Sequence, residues 1–258
     1  MSQLFSFSRF GRLFSKHTTE HAGGYLLATG VLLGGLGLVL GFVTYMSADP
    51  IKPDMQGVIF VMGLLAAGAF FSSTVFAPFG DKKQATAALM LPASQWEKYL
   101  VGYLYALPLF VAVYVGCFYL IDGLVLQMDG GPGRPTALVP LFSSDSKLYY
   151  SLVVYAVVNA IFLWGSIFFG KQHFIRTAFG LLLAAVLVSL VNMQVVQGLV
   201  GRKVSGVLPF AGMSFQEGKA WHSVNLSDVE NGRFLVVPLG LLLLGWAAAY
   251  VRLKEKQI

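Results

Sequence analysis

The sequence predicts an all-α integral membrane protein with six transmembrane helices. Hydrophobic residues make up 56% of its 258 residues, and charged residues only 12%. Its mean hydropathy of +0.70 is higher than that of a soluble globular domain of this size. The alternating pattern of membrane-spanning strands is absent, which argues against an outer-membrane barrel. We therefore expect residues 1–258 to form a single transmembrane domain.

Six apolar runs account for this composition, and none of them contains Asp, Glu, Lys, Arg or His. Each run is close to the ~20 residues that a helix needs to cross a hydrocarbon core. The predicted spans are residues 24–46, 56–76, 99–120, 148–169, 177–200 and 234–251.

The distribution of basic residues predicts the orientation. An even number of spans places both termini on one side, and that side carries eleven Lys and Arg residues against seven on the other. Since basic residues accumulate in cytosolic loops, we expect both termini in the cytosol. The pI of about 9.4 then reflects topology and anionic lipids rather than nucleic-acid binding.

The segment ahead of the first span, residues 4–17, is predicted to form a helix that lies in the membrane interface. Phe and Leu side chains are interleaved there with Arg9, Arg12 and Lys16. One face of such a helix can enter the acyl boundary while its cations meet lipid headgroups. The alternative is a positively charged flank that only orients the first span.

The first span itself carries pairs of glycines four residues apart, Gly30 with Gly34 and Gly37 with Gly41. This spacing allows another helix to approach the backbone closely. The partner helix can belong to the same chain or to a second copy, and we favour the same chain.

The charged segment of residues 81–98 predicts a helix, a stop and a second helix start at the membrane face. Pro92 cannot continue a helix. Ser94 and Glu97 fit a capping box, which binds the first amides of a new helix starting near Gln95. Aromatic rings and a lysine amine are typical of the point where a helix enters lipid, and they follow here as Trp96, Lys98 and Tyr99.

Polar side chains are few within the spans. Asn159 in the fourth span, with Ser189 and Asn192 in the fifth, are candidates for lining a translocation path. The favoured alternative is that such groups hydrogen-bond to neighbouring helices, at about 0.6 kcal/mol each.

The segment of residues 201–233, between the last two spans, is long and polar and contains Glu217, Trp221 and His222. It predicts a small extracytosolic lid or a surface for a partner. A solvated loop without a specific role is the alternative.

Several function classes lack the residues that they require. The sequence has no GxxxxGK[ST] motif, so we do not expect ATP to bind here through a P-loop. Ion-coupled carriers usually need ionisable groups at membrane depth, and the spans contain none. The four histidines lie outside the spans, and Cys117 is the single cysteine. We therefore expect no catalytic residue, metal site or cofactor in this chain.

The organisation of the chain resembles the permease subunits of ABC-2 type transporters, in the compact six-span version of the Bacteroidetes group of bacteria. Two segments carry the resemblance: SFSRFGRLFSKH resembles the elbow helix of that family, and MLPASQWEKYL resembles its LPAS-x-x-EK signature. The loop before the last span departs from the pattern. Family members often place apolar re-entrant helices there, and this chain offers only Val207–Phe210.

The resemblance implies that a coupling helix, roughly residues 82–91, docks on a separate ABC ATPase subunit that binds ATP and Mg. The coupling residues would be Lys82, Thr86, Leu89, Met90, Leu91, Pro92, Ser94, Glu97 and Lys98. A second cytosolic contact would involve Lys171, His173 and Arg176. The resemblance also implies a second permease copy or homologue, export more often than import, and the bacterial cytoplasmic (inner) membrane.

Three functional hypotheses follow. The first is the permease subunit of an ATP-driven exporter, coupled through its second loop. The second is a non-transporting six-span scaffold or assembly protein, which would bind its partners without turnover. The third is a lipid-modifying enzyme that uses outward acids such as Asp122 and Asp129, although no spacing marks them as catalytic.

Overall fold

The fold is a bundle of long helices, and a small sheet is formed by the chain segment that connects the last two of them. The computed structural model describes residues 5–47, 51–76, 93–129, 138–143, 148–169, 172–200, 204–205, 213–217, 220–224 and 236–255. Within these residues, six helices are long and apolar enough to cross a membrane, which confirms the predicted number of spans. They are α1 (Phe7–Met46), α2 (Pro53–Val75), α3 (Gln95–Asp129), α4 (Tyr149–Phe168), α5 (His173–Val200) and α6 (Val236–Glu255).

The first helix differs from its prediction, because residues 7–46 form one continuous helix rather than an interfacial helix followed by a separate span. No proline separates the two predicted segments. Gly23 and Gly24 each cost a helix about 1 kcal/mol relative to alanine, which does not end it. The 40 residues measure about 60 Å at the rise of an α-helix. Because a hydrocarbon core is about 30 Å thick, part of α1 extends beyond it.

The third helix contains a single turn of π-helix, Tyr105–Leu109, between its α-helical parts Gln95–Leu104 and Phe110–Asp129. Pro108 lies inside this turn. A proline has no backbone N–H and clashes with the carbonyl one turn earlier, so the regular ladder cannot pass through it. The wider turn accommodates Pro108 without ending the helix.

The core consists of two clusters of buried side chains. The larger joins α1, α2, α3 and α4, with Leu40, Phe60, Tyr114 and Tyr155 among its members. The Tyr114 hydroxyl donates a hydrogen bond to the Phe60 carbonyl over 2.8 Å, which satisfies the polar end of an otherwise apolar ring.

The second cluster lies at one end of the bundle. Phe76 after α2, Tyr99 near the start of α3, Ile167 near the end of α4 and Leu253 near the end of α6 pack together there. The rings of Phe76 and Tyr99 are stacked with centroids 5.7 Å apart. The ends of three helices and the start of a fourth are therefore fixed side by side.

A three-stranded antiparallel sheet lies between α5 and α6, where no strand was predicted. Its strands are β1 (Val204–Ser205), β2 (Met213–Glu217) and β3 (Ala220–Val224), in the order β1-β2-β3. Glu217 pairs with Ala220, so only two residues connect β2 to β3, which is the commonest hairpin length. The candidate re-entrant segment Val207–Phe210 lies outside the described residues.

The glycines of α1 do not pack as we expected. Among the described residues, a Cβ at Gly30, Gly34 or Gly41 would meet nothing within 4 Å, and one at Gly37 would only reach Ile121 at 4.0 Å. Within the described residues, these glycines show no close intrachain helix, and an intrachain partner at them stays a prediction. The helix uses a different face, on which Leu36 and Leu40 are buried.

Close helix packing occurs instead at Gly68, where α2, α3 and α4 meet. A Cβ at this position would overlap the Tyr155 ring and come within 3.0 Å of Phe110. The two rings also contact each other, with centroids 5.6 Å apart. Neither ring can move away without disturbing the core.

We predict that Gly68→Ala destabilises the protein by about 1–3 kcal/mol, because the added methyl forces the fixed rings of Tyr155 and Phe110 apart. Thermal unfolding of the detergent-solubilised protein measures this. The control is Gly116→Ala in α3, since a Cβ at Gly116 meets nothing within 4 Å. Equal melting temperatures of the two variants would contradict the packing described for Gly68.

Candidate functional site

The start of α3 is fixed by a complete capping box, as the sequence predicted. The Glu97 N–H donates to the Ser94 hydroxyl oxygen over 3.2 Å, and the Ser94 N–H donates to Glu97 Oε2 over 2.8 Å. These bonds satisfy backbone donors that no earlier turn can reach. The helix therefore begins at Gln95 with a defined direction.

The same carboxylate also holds the N-terminus of α1. The Ser6 N–H donates to Glu97 Oε1 over 2.8 Å, and Arg9 Nη2 lies 3.4 Å from that oxygen. Glu97 is completely buried. We call this arrangement of Ser6, Arg9, Ser94 and Glu97 the Glu97 junction. It joins two chain segments about ninety positions apart in the sequence.

Every described partner of Glu97 favours its ionised form. Its two oxygens receive backbone N–H groups and face a guanidinium, and hydrogen bonds to the charged form stabilise that form. The carboxylate also lies at the N-termini of both α1 and α3, where the helix dipoles attract negative charge. A buried charge paired in this way is costly to leave unpaired.

Contacts between α1 and α3 continue from the Glu97 junction to the π turn. The rings of Phe14 and Tyr105 lie 5.1 Å apart, and the hydroxyls of Thr18 and Tyr105 share a hydrogen bond. Tyr105 also lies against the rings of His17 and Tyr25. The N-terminal half of α1 is therefore attached to the first part of α3.

The predicted coupling loop is only partly described. Six of its predicted residues lie outside the described residues: Lys82, Thr86, Leu89, Met90, Leu91 and Pro92. Ser94 and Glu97 form the capping box, and Lys98 is buried, with 5% of its surface exposed. The sequence had placed the Lys98 amine at the membrane surface. The folded chain therefore covers Lys98, although it lies in the first turn of α3.

The predicted second contact lies at the connection between α4 and α5, with Lys171 outside the described residues. This connection is short, and Gln172 adopts a positive φ of 53° before α5 begins at His173. The Arg176 guanidinium lies over the Phe169 ring at 5.8 Å, and Arg252 of α6 lies over the neighbouring Phe168 ring at 5.2 Å. The end of α6 and the α4–α5 connection are thus adjacent.

Asn159, a candidate for the translocation path, lies in a buried polar cluster between α2, α3 and α4. Its Nδ2 donates to the Ser72 hydroxyl over 2.6 Å and to the Ala106 carbonyl over 3.0 Å. The Tyr155 hydroxyl donates to the same carbonyl over 2.6 Å. Ala106 belongs to the π turn, so these hydrogen bonds attach α4, and through Ser72 also α2, to this turn of α3. This matches the alternative of interhelical hydrogen bonding.

The other two path candidates are not brought to Asn159. Ser189 and Asn192 lie on α5 and are partly exposed, and the described part of the chain contains no hydrogen bond between either side chain and Asn159. A shared path for the three residues stays a prediction.

Sequence reasoning placed the Glu97 capping box correctly but missed its partners in α1. Arg9 was interpreted as a lipid-facing cation, and nothing in the local pattern indicates its contact with Glu97. Asp122 was treated as an outward acid, yet it is buried inside α3, and its Oδ2 has no hydrogen-bond partner among the described residues. The sequence continues beyond residue 120 with the mostly apolar residues 121–128, and this pattern could have placed Asp122 within the helix.

Metal chemistry finds no support in the described residues, which contain no group of three or more His, Cys, Asp or Glu side chains suited to a metal ion. Comparison of the chain with family models, with curated proteins and with solved structures found no match. A functional assignment therefore depends on the residues and geometry of the chain itself.

We predict that Glu97→Gln detaches the N-terminus of α1 and costs about 1–3 kcal/mol, because the amide cannot accept all the hydrogen bonds that the carboxylate accepts. Hydrogen exchange measures the loss of protection over residues 5–14, and thermal unfolding measures the loss of stability. Glu20→Gln is the control, since the exposed Glu20 pairs with the equally exposed Lys16 one helical turn away. Unchanged protection in Glu97→Gln would show that the junction does not hold α1.

Proposed function

We propose that the chain is the membrane-spanning permease subunit of an ATP-driven exporter of the ABC-2 type. In this proposal both termini lie in the cytosol of a bacterium, and the chain spans the inner membrane. A separate ATPase subunit binds ATP and Mg and docks on the second loop. The permease itself catalyses no reaction. The observation that carries the proposal is the Glu97 junction.

The Glu97 junction supports transmission of force from the second loop into two helices. Residues 81–94 lead directly into the capping box, so a displacement of this segment acts on the first turn of α3. Ser6 and Arg9 bind the same buried carboxylate, so α1 has to follow that turn. Hydrogen bonds to charged groups are among the stronger ones in proteins. If the loop were loosely attached, it could be displaced without moving α1 or α3.

The end of the bundle that carries the junction also supports the proposal. The cluster of Phe76, Tyr99, Ile167 and Leu253 brings the exit of α2, the start of α3 and the ends of α4 and α6 together. Arg176 lies at the same α4–α5 connection. An ATPase on this face could contact both proposed loops at once.

A second permease copy or homologue is part of the proposal. In an apolar stretch of 18 residues in α5, only 6% is buried within the chain. The same helix carries Asn192 and the exposed Gln194. Polar side chains facing lipid are costly, so a partner helix is expected to cover them. The open glycines of α1 would also allow a close approach.

We predict that the chain purifies from its own membranes with a stoichiometric P-loop ATPase, identified by mass spectrometry. A variant with Leu89, Met90 and Leu91 all changed to Asp should lose this subunit, because charges cannot enter an apolar docking groove. Leu138→Asp combined with Phe142→Asp, at exposed apolar positions between α3 and α4, is the control outside the loop. An intact protein without ATPase in either sample would favour the scaffold hypothesis.

We further predict that Ser94→Ala combined with Glu97→Ala uncouples ATP hydrolysis from movement of the spans. Spin labels at Tyr45→Cys and Leu199→Cys, both exposed positions on α1 and α5, report the movement in a Cys117→Ser background. The wild-type complex should change the distance between the labels when ATP is added, and the double variant should not.

The control for uncoupling is Ser15→Ala with Glu20→Ala on the exposed part of α1. ATPase binding and hydrolysis are measured in each complex to show that docking persists. A double variant at Ser94 and Glu97 with the full change in distance would overturn the role proposed for the junction.

A further inference from the structure

An apolar groove lies on the outside of the bundle, between the first turns of α3 and the last turns of α6. Its volume is about 390 Å³, within the range of small-molecule sites, although it is open on its outer side. Because α3 begins and α6 ends at the same end of the bundle, the groove lies near the membrane edge. None of its lining residues belongs to the Glu97 junction or to the polar cluster around Asn159.

Two aromatic pairs form the ends of the groove. The rings of Trp96 and Tyr250 are stacked with centroids 4.1 Å apart, and those of Tyr103 and Trp246 meet edge to face at 4.7 Å. Between the pairs, Ala247 presents only a methyl group, which leaves the space open. The groove is thus shaped by rigid rings around one small residue.

The walls are almost wholly apolar, so the occupant has to be apolar too. Even the hydroxyl of Tyr99, in the floor of the groove, is used within the protein, where it donates to the Trp246 carbonyl over 3.3 Å. A sugar, nucleotide or charged peptide would lose its hydration there without gaining hydrogen bonds. A hydrocarbon chain loses nothing on entering.

A positive charge lies beyond one end of the groove. Lys254 follows Tyr250 by four residues, so both lie on one face of α6, and Lys254 is exposed. Glu255 is engaged by Arg252 over 2.7 Å, and no described carboxylate pairs with Lys254. An apolar slot with an amine at its outer end complements a molecule with a hydrocarbon chain and a negative headgroup.

We propose that this groove binds one acyl chain of an anionic membrane phospholipid, with the headgroup phosphate at Lys254. The chain lies between the Trp96–Tyr250 and Tyr103–Trp246 pairs, over Ala247. Lipid is the solvent of this face of the bundle, so the ligand is present at high concentration. The bound lipid fills a space between α3 and α6 and fixes their spacing.

Quenching of tryptophan fluorescence by brominated lipid tests this site. Trp164→Phe and Trp221→Phe leave Trp96 and Trp246 as reporters, and the full chain is reconstituted in bilayers of phosphatidylcholine. Chain-brominated phosphatidylglycerol is then added in increasing fractions, and chain-brominated phosphatidylcholine is added in a parallel series. We expect the anionic lipid to quench with about fivefold higher apparent affinity, the effect of about one favourable lysine.

Two variants separate the parts of the site. Ala247→Phe should fill the groove and remove most of the quenching, whereas Ala248→Phe, outside the groove, should leave it unchanged. Lys254→Gln should abolish the preference for the anionic lipid but keep quenching by the zwitterionic one. Lys52→Gln, at the start of α2, is the control for a general loss of positive charge.

Quenching that follows the bulk lipid composition in every variant would overturn the proposal. So would the absence of quenching in the parent protein, the result expected if a polypeptide segment covers the groove. Melting temperatures of all variants exclude misfolding as the cause. Native mass spectrometry gives a second readout: one retained phospholipid per chain is expected in the parent and in Ala248→Phe, and its loss in Ala247→Phe. Retention in Ala247→Phe would equally contradict the site.

Discussion

The carboxylate of Glu97 is the interaction on which the arrangement of this end of the molecule depends. It closes the first turn of α3 through Ser94 and receives the N-terminus of α1 through Ser6 and Arg9. A single buried charge thus satisfies donors from two helices at once. Removing the charge leaves the N–H groups of Ser6 and Ser94 without this acceptor and takes the carboxylate away from Arg9, so the cost exceeds that of one hydrogen bond. The direction of both helices at this end follows from one side chain.

A second constraint acts deeper in the bundle, at the Ala106 carbonyl in the π turn of α3. Asn159 and Tyr155 of α4 both donate to this oxygen, and Ser72 of α2 accepts from Asn159. In a membrane, no water is available to buried polar side chains, so Asn159 and Tyr155 have to bond to groups of neighbouring helices. These bonds tie three helices together close to Gly68, where a Cβ would overlap the Tyr155 ring.

The sequence was sufficient for the spans and for the capping box, because both depend on residues close together in the chain. Continuous apolar runs locate helices in lipid, and Ser94 with Glu97 identifies a helix start by spacing alone. The contact of Arg9 with Glu97 depends on tertiary structure, which no local pattern encodes. The continuous α1 was missed because basic residues at its start suggested an interface, while nothing between residues 17 and 24 ends a helix. Pro108 and the two residues between Glu217 and Ala220 were local signals of the π turn and the hairpin.

Unequal burial of the helices indicates which of them could move. In an apolar stretch of 18 residues taken from each helix, 50% is buried in α4, 11% in α1 and 6% in α5. The polar cluster at Ala106 and the contacts at Gly68 hold α2, α3 and α4 as a unit, since each shares hydrogen bonds or ring contacts with the other two. In contrast, α5 buries only Thr177 among its described side chains. The helix α1 is intermediate, because Leu36 and Leu40 belong to the larger core cluster and the Glu97 junction attaches its N-terminus to the first turn of α3. In the proposed mechanism, a displacement at the second loop would therefore reach α1 and α3 together.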